Sequence, residues 1–129
     1  MKTQLSRWLP LVLILALIFI LSANQDPYRL LPFETPFEKW LSIIGHFVEY
    51  TLLGFAALRA IQWQDPPLNK RNIAIFVFCL LYALSDEFHQ TFVPGRLFQI
   101  QDLLIDSAGI FTGILIYQKF QKNRLEQSK

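Results

Sequence analysis

The chain has 129 residues, of which 53% are hydrophobic, 15% aromatic and 17% charged. A soluble domain is nearer a quarter charged and under half apolar, so this balance points to a membrane, and the length excludes a large transporter or a multidomain enzyme in one copy. A net charge of +2 is too small to indicate a nucleic-acid partner, and the single cysteine, Cys79 in an apolar run, excludes a disulfide framework or a cysteine metal cluster.

The first apolar segment covers residues 8–23 without a charge. A hydrocarbon core of ~30 Å takes about 17–25 helical residues, so polar flanks must lengthen this one. Lys2 and Arg7 precede it as they would a signal peptide, but Leu21 stands where a cleavage site wants a small side chain, and a retained membrane helix is expected. Pro27, Pro32 and Pro36 keep the next stretch from being one long helix. A second segment covers 40–63 and is broken by Asp65-Pro66-Pro67; a third covers 73–93 and ends in a Pro94-Gly95 turn; a fourth covers 100–120. The expected fold is all-α: one membrane domain over residues 1–129, a bundle of four transmembrane helices.

Orientation follows from the basic residues beside the segment ends. The N-terminus, the loop after the second segment and the C-terminal tail hold Lys2, Arg7, Arg59, Lys70, Arg71, Lys119, Lys122, Arg124 and Lys129. The other two loops hold Arg29, Lys39 and Arg96. Both termini are therefore expected in the cytoplasm. Trp8, Trp40 and Trp63 fall at segment ends, where indole rings anchor in headgroups.

In that topology His46 and Glu49 lie in the outer half of helix 2. Asp86, Glu87, His89 and Gln90 close helix 3, and Asp102 and Asp106 open helix 4. At about 1.5 Å rise per residue, all fall in one layer near the outer surface. At about 100° per residue, Ser42, His46, Glu49 and Tyr50 share a face of helix 2. Tyr82, Ser85, Asp86 and His89 share a face of helix 3, with Gln90 at its edge and Glu87 turned further round. Asp102, Asp106, Gly109 and Gly113 make one stripe of helix 4, whose glycines read as a close-packing surface. An Asp at mid-helix costs about 2.5–3.5 kcal/mol on insertion, while a Leu, Ile or Phe returns about 0.3–0.6, so helix 4 inserts poorly alone and needs partners. Glu49, Asp86, Glu87, Asp102 and Asp106 have Arg96 as the fixed cation near them. Some of these acids must be protonated, paired with a histidine or bound to a cation.

The run Asp86-Glu87-Phe88-His89-Gln90-Thr91-Phe92-Val93-Pro94-Gly95-Arg96, followed by Asp102 and Gly109, resembles the signature of the VanZ-like family, small bacterial membrane proteins named for one implicated in teicoplanin resistance. His46-Phe47-Val48-Glu49-Tyr50 with Leu53-Gly54 resembles the family's other motif, and Ser22 and Pro27 fit its first external turn. The resemblance covers about residues 22–113. It implies a multi-pass protein of the bacterial cytoplasmic membrane, with motif residues at His46, Tyr50, Asp86, Glu87, Gln90, Arg96 and Asp102. Ile43 stands where the family often has a basic residue, and Asp106 where many members carry Asn.

Three functions remain open at this point. The first is a non-enzymatic module whose outward-facing polar pocket binds a lipid-linked envelope intermediate or a glycopeptide antibiotic, through His46, Glu49, Tyr50, Asp86, Glu87, Gln90, Arg96, Asp102 and Asp106. The second is a metal-dependent intramembrane hydrolase or transferase, in which His46-x-x-Glu49 and Asp86-x-x-His89 set ligands one helical turn apart. The third is a proton or ion pathway, for which a homodimer interface must supply the inner half, because the cytoplasmic halves of the segments are apolar. No cofactor is expected, since no stretch resembles a nucleotide or haem motif, and no residue is assigned a catalytic role.

Overall fold

A computed structural model describes residues 2–24, 36–61 and 68–127. Among these residues the structure is wholly helical: α1 is Lys2–Ser22, α2 Pro36–Ala60, α3 Leu68–Gln90 and α4 Ile100–Gln127. Each is long and apolar enough to cross a membrane. Helix α1 starts well before Trp8, because nothing in the polar flank breaks a helix, and this extension supplies the missing length. Pro10 lies inside it, where the ring removes one backbone donor. Pro36 separates α1 from α2 by opening α2, a position where its missing N–H costs nothing. Trp63, Asp65, Pro66 and Pro67 lie outside the described residues, as do Pro27, Arg29 and Pro32.

The exterior is apolar, unlike that of a soluble bundle. Exposed positions include Leu13, Phe19, Trp40, Leu52, Phe78, Leu81, Phe111 and Ile116, spread over all four helices. Buried positions include Ser22, His46, Asp86, Glu87, Gln90 and Asp106. Apolar surface on this scale, with the charged groups drawn inside beside an apolar core, is the pattern of a protein whose solvent is lipid.

The bundle is organised by the pairing of α2 with α4, the most extensive of the five helix contacts; α1 touches α2 and α3. Small residues make this pairing possible, as the stripe on helix 4 foretold, and its partner is α2. A Cβ added to Gly109 would stand 2.7 Å from the Phe47 carbonyl oxygen, and one on Gly113 would meet the Thr51 carbonyl oxygen. From the other side, a Cβ on Gly54 would collide with the Ile110 carbonyl. Backbone therefore lies on backbone through three glycines, with Tyr50, Leu53, Ala57, Ile110 and Ile114 buried alongside.

Helix α3 packs through Ile75, Cys79 and Ala83, all buried. That stripe continues to Asp86, Glu87 and Gln90, whereas Ser85 is exposed and His89 only half buried. The face expected from Tyr82, Ser85, Asp86 and His89 is thus rotated: small residues upstream decide which side of α3 meets the bundle, and they bring Glu87 fully inside.

The glycine seam generates a prediction. Alanine is the better helix former by about 0.8–1.0 kcal/mol, but here its methyl must push two backbones apart, an overpacking cost of about 1–3 kcal/mol. Gly113→Ala and Gly54→Ala are expected to lower the melting temperature in detergent, measured by circular dichroism, while Ala108→Leu on the exposed side of α4 leaves it near wild type.

Candidate functional site

The polar layer is assembled at the end of the bundle where α1 and α3 finish and α4 begins. Three i→i+3 bonds, from Thr91, Phe92 and Val93 to Phe88, His89 and Gln90, close off α3. The chain then turns through Val93-Pro94-Gly95-Arg96, with the Arg96 N–H donating to the Val93 carbonyl at 3.1 Å. Gly95 has φ of 83°, the value the third position of a type II turn requires and one that a Cβ disfavours. Glu87 Oε2 accepts the Gln99 backbone N–H at 3.0 Å, pinning this loop to α3 just before α4 starts.

Asp86 is held from two sides. The Tyr50 hydroxyl and the Gln90 amide each donate to its Oδ2, at 3.3 Å. His46 Nδ1 and Asp106 Oδ1 are hydrogen-bonded at 3.0 Å, joining α2 to α4 directly above the glycine seam. These pairs are buried, so each hydrogen bond satisfies a group that hydrocarbon would leave bare.

His46, Glu49, Asp86, Gln90 and Arg96 line a small, partly open cavity together with Ile18, Leu21 and Ser22 of α1. Arg96 is half buried, and its guanidinium Nη1 donates to the Asn24 carbonyl at 3.2 Å, tying the α3–α4 loop to the end of α1. Tyr50 stands behind Asp86 as its donor. Glu87 and Asp106 lie on the other side of His46, between α2, α3 and α4; one ligand-type atom from each of His46, Glu87 and Asp106 lies within 4.8 Å of the other two. Asp102 is half buried in the first turn of α4, where the helix dipole favours an anion.

Of the four residues that paired spacing suggested for a metal, only His46 belongs to this trio. Glu49 and Asp86 face the cavity, and His89 is turned toward α1. Its ring stacks on Phe19, with centroids 4.7 Å apart, and its Nδ1 lies 3.5 Å from the Ser22 hydroxyl. The contribution of α1 was not legible in advance. Ser22, ending an apolar run, marked the position, but nothing in that run distinguishes the face carrying Ile18 and Ser22 from the faces exposed to lipid.

A family model described as VanZ/LLP1 matches residues 7–121, nearly the whole chain and part or all of every helix. The chain belongs to the VanZ-like family. No curated protein and no solved structure matches it. In this VanZ-like chain the eleven-residue run ending at Arg96 has a physical meaning: Asp86, Glu87 and Gln90 face inward, Pro94-Gly95 reverses the chain, and Arg96 returns to the cavity.

The His46–Asp106 pair yields a double-mutant prediction. Removing either partner leaves the other buried and unpaired, so in chelator-treated protein His46→Ala and Asp106→Ala should each destabilise nearly as much as the double variant. The coupling expected from unfolding in detergent is about 1–3 kcal/mol; additive effects would mean that the hydrogen bond is not formed.

Proposed function

We propose that this VanZ-like protein is a non-enzymatic binding module of the bacterial cytoplasmic membrane. Its cavity opens toward the outer surface and holds the polar head of a lipid-linked cell-envelope intermediate. The observation that carries this reading is the amphiphilic lining: Ile18 and Leu21 are apolar, Ser22, His46, Glu49, Asp86 and Gln90 are polar, and Arg96 stands where the loop meets α1. A lipid-linked head group has the same division, an apolar stem beside phosphate and sugar. A guanidinium offers a phosphate two parallel N–H donors, and carboxylates accept hydrogen bonds from hydroxyl, amide or amine groups.

Size distinguishes between the two ligand classes. The recess is partly open and its free interior, about 10 Å³, is that of about one water molecule. A whole glycopeptide is far too large to be enclosed there, whereas the phosphate of a head group can be met by Arg96 at the rim. Tolerance to an antibiotic such as teicoplanin then follows indirectly, through the envelope intermediate on which such drugs act.

Two measurements test the reading. Arg96→Ala is expected to abolish both binding of lipid-linked precursor to the purified protein and any contribution to teicoplanin tolerance, at normal membrane levels. Arg96→Lys should fall in between, because an ammonium keeps the charge and loses the fork; wild-type behaviour of Arg96→Ala would remove Arg96 from the site. For orientation, Arg96→Cys in a Cys79→Ser background should react with a membrane-impermeant maleimide in intact cells, and a cysteine in place of Lys122 should not.

A further inference from the structure

We propose that His46, Glu87 and Asp106 form a binding site for a divalent transition-metal ion such as Zn2+ or Mn2+, enclosed between α2, α3 and α4. The three residues come from three helices, and their ligand-type atoms all lie within 4.8 Å of one another. Around a bound ion, bonds of about 2.0–2.2 Å place such atoms about 3–4 Å apart. Small side-chain rotations therefore close the gap without moving a helix.

The second observation is independent of that spacing. Glu87 Oε1 and Asp106 Oδ2 are enclosed by protein and have no hydrogen-bond partner among the described residues. Both side chains are fully buried, at 0% exposure, and His46 is at 4%. The other oxygens are accounted for: Glu87 Oε2 by the Gln99 N–H and Asp106 Oδ1 by His46. What remains is one bare oxygen on each of two carboxylates beside an imidazole, with Asp102 acting electrostatically on both acids. Bare carboxylate oxygens have strong acceptor capacity and no donor to meet it.

Charge explains why a dication fits there. Two carboxylates and a neutral imidazole carry −2, and a divalent ion makes the group formally neutral, the state that a bilayer interior tolerates best. The donor set also selects the class of ion. Imidazole suits Zn2+ and its first-row neighbours, whereas Ca2+ and Mg2+ prefer oxygen ligands alone. His46 Nδ1 and Asp106 Oδ1 already stand 3.0 Å apart, close to the spacing of two ligands on one ion, so an ion takes the place of the proton between them.

The test uses the full chain, purified in detergent with chelator, desalted and equilibrated with Zn2+ or Mn2+ alone. No lipid or antibiotic is present, so the result stands apart from the identity of the cavity's ligand. Elemental mass spectrometry and calorimetry should find about one ion per chain. The isosteric variants Glu87→Gln and Asp106→Asn, and His46→Gln, should each weaken binding at least tenfold, while His89→Ala keeps the wild-type affinity. Because an inward-facing variant can fail to fold, two wild-type readouts accompany them. The ion should raise the melting temperature, as any ligand of the native state does, and X-ray absorption of the Zn2+ form should show one imidazole and otherwise oxygen ligands. Absence of binding to wild type at micromolar ion would overturn the proposal and leave the two acids sharing a proton. Loss of the ion in His89→Ala, two imidazoles in the spectrum, or wild-type binding by both amide variants would also overturn it.

Discussion

A carboxylate cannot face hydrocarbon, and Asp106 opens the buried face of α4, one turn before Gly109 and Ile110. Its burial against His46 requires α2 and α4 to approach closely, which bulky side chains would prevent. Gly54, Gly109 and Gly113 remove that obstacle, bringing Phe47, Thr51 and Ile110 backbone atoms within van der Waals reach of the opposite helix. The 3.0 Å hydrogen bond between His46 and Asp106 is thus as much a consequence of glycine as of charge. Everything else in the polar layer is positioned relative to that pair. Tyr50, one turn beyond His46, reaches Asp86 across to α3, and Asp86 in turn fixes Gln90.

The loop that carries Arg96 is ordered by the same logic of paying for buried acids with nearby donors. Glu87 takes the Gln99 N–H, so α4 starts where α3's carboxylate holds it. The type II turn at Pro94-Gly95 then needs only one residue with positive φ to aim Arg96 back toward Asn24 and the cavity. This end of the bundle becomes the rim of the cavity, tied to the end of α1 by Arg96, to α3 by the Gln99 N–H and to α4 by the Gln99 carbonyl.

Much of this was legible because lipid imposes strict costs. Four apolar runs and the proline and glycine breaks between them specify four helices, and the spacing Asp106, Gly109, Gly113 specifies a seam. The rotation of α3 was not legible. Its last turns carry polar groups on every side, at Tyr82, Ser85, Asp86, Glu87, His89 and Gln90, so periodicity alone gives several faces of similar weight. The choice is made lower down by Cys79 and Ala83, whose small side chains let that side approach the bundle. A similar ambiguity hid the role of α1: with apolar residues all round, its sequence does not distinguish the side that meets α2 and α3 from the side that meets lipid.

The distribution of partners among the acids separates the layer into two parts with His46 between them. On the cavity side, Asp86 receives two donors, and Arg96 provides a fixed charge within the same lining. On the far side, Glu87 and Asp106 each receive one donor and keep one oxygen bare, though both are more deeply buried than any acid on the cavity side. Packing that satisfies the less buried carboxylate twice and the most buried ones once is not explained by helix adhesion, since adhesion gains most where water is most completely excluded. The bare oxygens lie where an additional charge would be least screened, and among the described residues His46 is the side chain that belongs to both parts. Any ion held on the far side therefore acts on the cavity through a single imidazole, whose orientation Asp106 already sets.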